Sequence, residues 1–281
     1  MIQLPYFDSL LEKFSKGAPE AEQTFGLNVH WGYWQKPKEA DGSYRDFHNA
    51  SRQLTRKVYE KAKIKDGMKV LDVGCGFGGT IHELNENFTG MDLVGLNIDP
   101  RQLARAREKV KAKKGNKISF IEGNACKLPF PDASFDAVLA VECIFHFPSR
   151  FEFLKEVKRV LRPGGRLAIS DFVPFGPALP SVALVGLYYQ KNITDIFGKC
   201  NSAVTKTSYR LLSKAAGFKK MKCEDITEGT LPTYPVIEKL GRDKVLVVST
   251  PKNQNKVNSL LYWASRLRLV RYMVLDFAKE A

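Results

Sequence analysis

The chain has 281 residues, 44% of them hydrophobic and 26% charged, which is typical of a globular domain with an ample core and excludes a disordered or fibrous protein. Its 44 Lys and Arg outnumber 30 Asp and Glu, and the resulting charge of +14 favours encounters with anionic partners without bearing on the fold. Five cysteines with no C-x-x-C pair indicate neither a disulfide framework nor a zinc site, so we predict no metal.

The N-terminal sequence lacks a basic region followed by an apolar run and a cleavage site, which is the pattern of a secretory signal. The longest apolar stretch, residues 178–189, contains Pro180 and falls well short of the roughly 20 residues that span a bilayer. These two observations predict a cytoplasmic protein without stable membrane insertion.

The first two thirds of the chain change from a helical to an alternating pattern. Residues 1–66 are predicted to be largely helical, with the clearest helix over 49–63. The strands predicted after them are residues 68–73, 92–97, 118–122, 135–141 and 166–170, separated by helices over 79–85, 101–113 and 150–161. Strands that alternate with helices at this spacing predict parallel βαβ units with right-handed crossovers, and therefore a doubly wound α/β sheet.

The pattern breaks after the fifth strand. Residues 172–206 form an apolar segment that contains Pro and Gly. We expect this segment, together with residues 1–50, to form a roof over a bound ligand. A helix over 207–217 and a strand over 219–227 then resume the alternation. Two later runs, 244–249 and 269–277, both have the character of a last strand.

Glycines follow the first strand in the segment DVGCGFGG, which begins at Asp72. Ligands of such sheets bind outside the carboxyl ends of the strands. Gly74 and Gly76 allow a tight turn that brings the backbone against a ligand, while Gly78 lets the next helix pack closely. The N-terminus of that helix adds unpaired N–H donors. The segment therefore predicts a ligand-binding loop.

Two kinds of ligand fit this loop, since Gly74, Gly76 and Gly79 also satisfy the dinucleotide pattern G-x-G-x-x-G. A carboxylate at Asp72 can face the cationic amino acid end of S-adenosylmethionine. The second strand ends at Asn97, where a nicotinamide enzyme usually has an acid for the ribose. Both features favour the sulfonium cofactor over a dinucleotide, and a glycine turn without a ligand is the third alternative.

Four segments resemble, in order and spacing, the motifs of class I S-adenosylmethionine-dependent methyltransferases. They are DVGCGFGG from Asp72, GLNIDPRQ from Gly95, LPFPDASFD from Leu128 and LRPGGR from Leu161. Within that class the chain looks most like the sterol, tocopherol, glycolipid and natural-product sugar O-methyltransferases, to whose lid the segment HWGYW at residues 30–34 is similar. The resemblance covers residues 28–175 well and the rest loosely.

The resemblance implies a Rossmann-like, mostly parallel seven-stranded sheet with a C-terminal antiparallel strand and a helical lid. The segment VRYMVLDFAK from Val270 resembles the closing strand of the family, so we place the last strand at 269–277 and a helix at 262–267. We predict one methyltransferase domain over residues 1–281. It divides into an N-terminal lid segment at 1–66, a cofactor-binding core at 67–175, a lid insertion at 176–206 and a C-terminal part at 207–281.

The family also implies which residues hold the cofactor. The loop from Gly74 to Gly78 would hold the methionine part, Asn97 and Gln102 would lie near the ribose, and the turn at Asn124 would lie against the adenine. Most class I enzymes have acids where the two asparagines stand, but an amide oxygen can still accept hydrogen bonds. The predicted cofactor contacts are Tyr33, Asp72, Gly74, Cys75, Gly76, Gly78, Asn97, Ile98, Gln102, Asn124, Ala125 and Glu142.

Three titratable residues stand just beyond the fourth and fifth strands: Glu142, His146 and Asp171. A hydroxyl acceptor must lose its proton, and a neutral imidazole with a pKa near 6.5 can accept it. In sugar O-methyltransferase relatives a His and an Asp have the roles of base and assistant, which the resemblance extends to His146 and Asp171. The alternatives are a histidine that only hydrogen-bonds its turn, a strand-end cap at Asp171, and a Glu142 that orients backbone groups.

The sequence thus predicts S-adenosylmethionine-dependent methyl transfer to a small natural-product or lipid-like acceptor, anionic or lipophilic, with O-methylation favoured over C- or N-methylation. A nucleic-acid methyltransferase suits the charge, but the segment VECIFHFP from Val141 lacks an N-P-P-Y-like motif and the basic residues are spread along the chain. We therefore predict no nucleic acid partner. A non-catalytic protein that binds S-adenosylmethionine is a second rival, and the oligomeric state is open.

Overall fold

The computed structural model describes residues 4–280. Its helices begin where the sequence supplies capping groups: Ser43, Asp99 and Ser149 each accept a hydrogen bond from a backbone N–H of the first turn that follows. The helices are α1 Pro5–Ser15, α2 Pro19–Thr24, α3 Tyr44–Lys61, α4 Gly79–Asn87, α5 Pro100–Lys109, α6 Arg150–Val160, α7 Leu179–Tyr188, α8 Gln190–Phe197, α9 Lys206–Ala215, α10 Thr227–Thr230, α11 Thr233–Arg242 and α12 Pro251–Arg266.

The described residues form one seven-stranded sheet in the order β3-β2-β1-β4-β5-β7-β6. Its strands are β1 Lys69–Val73, β2 Asp92–Asn97, β3 Lys117–Glu122, β4 Phe135–Val141, β5 Leu161–Pro174, β6 Lys220–Asp225 and β7 Val270–Ala278. The first five strands run parallel, and β7 is antiparallel to both β5 and β6. This arrangement confirms the predicted doubly wound sheet, and strand order reverses between β1 and β4, where such sheets bind ligands.

The last strand is the second of the two candidate runs. β7 is buried along almost its whole length because it pairs with a strand on each side, whereas residues 244–249 contain no strand. The helix predicted at 262–267 is longer than expected and starts earlier. It is α12, which starts at Pro251 behind a Thr250 cap, a start signal that the sequence analysis did not use.

Other boundaries also differ from the prediction. The helix expected over 49–63 is α3, which starts five residues earlier, behind the Ser43 cap. The helix expected to run to residue 113 ends at Lys109, because Val110 is extended and buried and leads the chain into β3. The fifth strand covers Leu161–Pro174 instead of 166–170, since β7 pairs with it from Arg166 to Pro174.

The core lies on both faces of the sheet. Leu54 of α3 and Ile81 of α4 pack in one cluster, and Phe153 of α6 and Tyr209 of α9 pack in the cluster of the other face. A third cluster joins Phe7 of α1 to α3, α11 and the loop after β1. The helices of residues 5–24 and 179–197 contribute no strand to the sheet. Within the described part of the chain, no helix combines the length and apolar character needed to cross a bilayer.

Candidate active site

A cleft with a cavity volume of about 110 Å³ opens at the carboxyl ends of β1, β2 and β4. We call it the strand-edge cavity. Ten of the twelve predicted cofactor residues line it: Asp72, Gly74, Cys75, Gly76, Asn97, Ile98, Gln102, Asn124, Ala125 and Glu142. Parallel strands bring these residues together because each strand ends at the same edge, and the cleft coincides with the reversal of strand order.

Asp72 supplies the negative group of this cavity. Its side chain is almost fully buried, and its Oδ2 has no hydrogen-bond partner among the described residues. Burial raises the pKa of Asp72 to about 8, against which the hydrogen bond with Thr80 acts weakly. A buried carboxyl without a partner is costly, and a cationic ligand group beside it would relieve that cost.

The glycines of the loop serve different purposes. Gly74 has φ 75°, and a Cβ there would lie 2.7 Å from the Sγ of Cys143. Gly76 has φ 54° and lines the cavity, where an added Cβ would touch the Phe7 ring at 3.6 Å. Gly78 does not line the cavity; it begins α4 and lies against the side chains of β3 and α5. Its expected contact with the cofactor is replaced by close helix packing.

Two amides stand on the far side of the cavity. Asn97 donates from Nδ2 to Oε1 of Gln102 at 2.8 Å, and its Oδ1 accepts from the backbone N–H of Ile98 at 2.8 Å. Both amide side chains are buried. At the adjacent turn, Oδ1 of Asn124 accepts from Cys126 N at 2.8 Å. These bonds fix the amides in place, and the second lone pair of each oxygen is left for a ligand.

Asn28 is a site residue that the sequence analysis missed. Its Oδ1 is buried without a hydrogen-bond partner among residues 4–280, and the residue lines the strand-edge cavity. A Cβ on Gly79 would lie 1.8 Å from that oxygen, so Gly79 is needed for this approach. Asn28 is 51 residues before Gly79, and no local sequence pattern announces such a contact.

Tyr33 was expected at the cofactor, but it does not line the strand-edge cavity. A Cβ on Gly229 would lie 2.4 Å from its ring, and Lys57 places its Nζ 5.5 Å from the ring centre. Its neighbour His30 does line the cavity. The Nδ1 of His30 lies 2.9 Å from the carbonyl of Trp31 and its Nε2 lies 3.0 Å from the hydroxyl of Thr55, so both ring nitrogens are engaged.

Glu142 directly follows β4 and has φ 49°, a strained backbone for a residue with a side chain. Its carboxylate accepts hydrogen bonds from Trp31 N at 3.0 Å and from the hydroxyl of Tyr272. Burial raises the pKa of Glu142 to about 8, because these hydrogen bonds offset only part of the desolvation. A strained, buried acid with a raised pKa is typical of functional sites.

His146 lies on the turn after β4 and lines the same cavity. Its Nδ1 is 3.2 Å from the carbonyl oxygen of Lys199, so Nδ1 carries the proton in this arrangement. Its Nε2 is then the acceptor, and the hydroxyl of Tyr6 lies 3.3 Å from it. Burial lowers the pKa of His146 to about 4, which keeps the imidazole neutral at pH 7.

Asp171 does not assist His146 in this structure. Its carboxylate is fully buried, accepts from Arg150 at 2.8 Å and accepts from the hydroxyl of Tyr209. Among the described residues it has no hydrogen bond with the imidazole, whose orienting partner is the carbonyl of Lys199 instead. The sequence placed both residues at the right edge of the sheet, but Arg150 captures the carboxylate.

A second, larger cavity adjoins the first. It has a volume of about 360 Å³, its lining is mainly apolar, and α7, α8 and α12 contribute much of that lining. We call it the helix-lined chamber. Both cavities are lined by Tyr6, Val29, His30 and Glu142, so these residues stand at the junction. A ligand in the chamber can therefore reach the strand-edge cavity only past these four side chains.

The family model and the relatives that match this chain are described as methyltransferases. A family model described as a methyltransferase domain matches residues 71–169. Methyltransferase GfsG of Streptomyces halstedii is 35% identical over 219 residues, which cover 76% of this chain and 73% of that protein. The 27-O-demethylrifamycin SV methyltransferase of Amycolatopsis mediterranei is 32% identical over 215 residues, with 76% and 74% covered.

The fold also has solved counterparts. The cyclopropane synthase MmaA2 from Mycobacterium tuberculosis matches with a TM-score of 0.74 at 15% identity, over 98% of this chain and 99% of that one. At this identity the likeness concerns the fold alone, because one fold hosts many activities.

Proposed function

This chain belongs to the class I S-adenosylmethionine-dependent methyltransferases, and from that premise we propose that it methylates a hydroxyl group of a mainly apolar small molecule, with His146 as the proton acceptor. The protein is an enzyme whose cofactor is S-adenosylmethionine. When bound, the cofactor supplies an electrophilic methyl group. The chain's own residues must bind it, present the acceptor and remove one proton.

The strand-edge cavity fits the cofactor. The unpartnered Oδ2 of Asp72 suits the cationic ammonium group, and Asn97 with Gln102 presents amide groups to the ribose hydroxyls. The unpartnered Oδ1 of Asn28 offers another acceptor for a ligand N–H or O–H. These buried polar atoms lack partners among the described residues, which is expected where a ligand completes the hydrogen bonds.

One observation carries the assignment of the base. The hydroxyl of Tyr6 lies 3.3 Å from Nε2 of His146, at the junction of the two cavities, and occupies a position that an acceptor hydroxyl can take. The contact between Nδ1 and the carbonyl of Lys199 selects the tautomer whose Nε2 accepts. Hydrogen-bond reach to the proton is the first requirement of a general base.

The helix-lined chamber supports an apolar small-molecule acceptor. Its cavity volume of about 360 Å³ lies at the lower end of the roughly 300–1,000 Å³ of ordinary ligand pockets. Burial against its apolar walls would hold such a molecule without many hydrogen bonds. The relative named for 27-O-demethylrifamycin SV acts on a compound whose missing methyl belongs on an oxygen. Placement of the acceptor in a water-poor site would contribute much of the rate.

Glu142 is the second candidate for the base. It lines both cavities, whereas His146 lines the strand-edge cavity but not the helix-lined chamber. A carboxylate with a pKa of about 8 can accept a proton near neutral pH once it is ionised. Its two hydrogen bonds from Trp31 and Tyr272 occupy the carboxylate and favour an orienting role.

The acceptor class is tested by incubating the enzyme with S-adenosylmethionine labelled in its methyl group and with matched pairs of apolar acceptors that differ in one hydroxyl. We expect label in the hydroxylated member of a pair and an O-methyl signal in its NMR spectrum. Label on carbon or nitrogen in both members would contradict O-methylation, and labelling of small charged acceptors alone would contradict the assignment of the chamber.

A further inference from the structure

The outer face of α7 is apolar and exposed. Leu184, Leu187 and Tyr188 have 71%, 69% and 78% of their surface exposed, and their spacing of three and four residues puts them on one side of the helix. The opposite side, with Val182 and Gly186, lines the helix-lined chamber. Helix α7 therefore separates the chamber from solvent and is apolar on both sides.

Exposed apolar residues also stand at the end of α12. Trp263 and Leu267 line the chamber and are nevertheless 55% and 62% exposed, so they stand at its rim. A group of exposed apolar residues around one cavity is the kind of surface that binds a protein or a membrane. The residues that form this surface are Leu184, Leu187, Tyr188, Trp263 and Leu267, and we refer to them as the rim patch.

Cations flank both ends of α7. Before the helix, the guanidinium of Arg271 lies 4.5 Å from the ring centre of Phe175, and after it the Nζ of Lys256 lies 4.8 Å from that of Tyr189. Residues 244–275 contain six basic residues and no acidic one, and Asp195 is the one acid between residues 174 and 206. Part of this charge is compensated, since Asp225 lies 3.0 Å from Arg268 and 3.9 Å from Arg271, and Glu228 lies 3.8 Å from Arg268.

We propose that the rim patch docks the enzyme on the surface of an anionic lipid bilayer, so that a lipophilic acceptor can enter the helix-lined chamber directly from the membrane. The ten residues of α7 are too few to span a bilayer but suit a helix that lies in the interface. Tyr and Trp favour that level of the membrane, and flanking Lys and Arg are attracted to anionic headgroups.

The charge selects this partner over a second copy of the chain. Each copy carries +14, and two rim patches facing each other would bring their basic flanks together. An anionic surface meets the same flanks with the opposite charge. The proposal goes beyond the methylation reaction, and vesicle binding can be measured without an acceptor or a cofactor.

The test is sedimentation of the full chain with phosphatidylcholine vesicles, made with or without phosphatidylserine. We expect binding to the phosphatidylserine vesicles, weakened by added salt. The double variant Leu184→Ser/Leu187→Ser should bind roughly a hundredfold more weakly, because each of the two buried leucines contributes about a factor of ten. The matched control is Leu211→Ser on α9, a leucine 64% exposed, which should bind like the unchanged protein.

Charge is tested separately with Lys256→Gln, for which we expect about a fivefold loss of affinity for phosphatidylserine vesicles. Thermal unfolding of each variant establishes that it is folded. Failure to sediment with either vesicle would overturn the proposal, as would equal loss of binding in the Leu211→Ser control. Sedimentation equilibrium that shows a dimer abolished by Leu184→Ser/Leu187→Ser would identify a second copy as the occupant and also overturn it.

Discussion

The strand-edge cavity and the helix-lined chamber meet at four side chains but are built in opposite ways. The first takes most of its walls from the ends of neighbouring parallel strands and carries buried polar atoms such as Oδ2 of Asp72. The second draws its walls from helices far apart in the chain and is mainly apolar. The strand ends hold hydrogen-bonding groups at fixed positions, which suits a single cofactor. The packed helices enclose an apolar space whose size and shape can differ from one enzyme to another, to suit different acceptors.

The largest expected effect is on the rate of methyl transfer when His146, which lies beside the junction residue Tyr6, is replaced. The His146→Ala variant should have a kcat lower by roughly a hundredfold or more, because a general base contributes about that much. Cofactor affinity should stay nearly constant, which calorimetry checks. Near-normal turnover would leave His146 as a structural residue of its turn.

The pH dependence of kcat distinguishes the two candidate bases. A base works in its deprotonated form, so with His146 the rate should be level near pH 7 and fall as the pH drops through about 4. With Glu142 the rate should instead rise as the pH increases through about 8. The Glu142→Gln variant serves as the matched control: it removes the second pattern and leaves the first.

The contribution of the polar groups in the strand-edge cavity to cofactor binding is tested by Asp72→Asn. Loss of the carboxylate should weaken S-adenosylmethionine binding on the order of a hundredfold, as expected when one partner of a buried ion pair is removed. The unliganded variant should be more stable than the parent at neutral pH. The pKa of Asp72 is raised to about 8 from 3.8, so across that interval the carboxyl ionises in the unfolded chain but stays protonated in the folded one, and the free energy of unfolding falls as the pH rises.

Calorimetry and thermal unfolding of the Asp72→Asn variant check these opposite changes. Cofactor binding to the parent below pH 8 should also release a proton, which shows as a binding enthalpy that varies with the buffer. A variant with lower stability and unchanged affinity would mean that Asp72 is a structural residue.

The apolar character of the chamber is tested by filling it. Val182 is half-buried on the chamber side of α7, and Val182→Phe should raise the KM of an apolar acceptor roughly tenfold, since one or two misplaced methylenes cost about that much. Cofactor affinity should not change. Ala183→Phe, on the exposed side of the same helix, is the control. An equal rise in KM in both variants would show that the helix rather than the chamber is disturbed.

The smallest effect is expected in local mobility. The helices of residues 5–24 and 179–197 bear no strand, and we expect them to exchange amide hydrogens faster than β1 or β4. Both ligands together should slow that exchange several-fold, as closing lids do. Equal protection with and without ligands, measured by mass spectrometry, would contradict a mobile roof.

The sequence revealed the strand-edge cavity because its determinants are local. A short apolar strand, a glycine turn and the start of a helix are read from about fifteen consecutive residues, and parallel pairing then aligns the strand ends. The DVGCGFGG segment from Asp72 and the position of Asn97 both followed from this rule, and the structure places both residues in the cavity.

The remaining features depend on contacts between distant segments. The partner that orients His146 is the carbonyl of Lys199, 53 residues away, and any residue type offers a carbonyl. Asp171 pairs with Arg150, which the sequence presents as an ordinary helix residue. Tyr33 lies outside the strand-edge cavity. The sequence does not reveal this, because an aromatic residue next to a binding segment can pack on either face of that segment. The division of the chain into lid and core segments remains a prediction.

Helix α1 has a kinetic consequence. Tyr6 lines both cavities and Phe7 lies against the glycine loop, so one helix covers cofactor and acceptor together. We therefore expect spent cofactor to leave only when this helix moves away, whereas a lipophilic product can also leave through the rim of the helix-lined chamber. Turnover should therefore show a rapid first round followed by slower steady cycles, with the rate of the later cycles set by release rather than by methyl transfer.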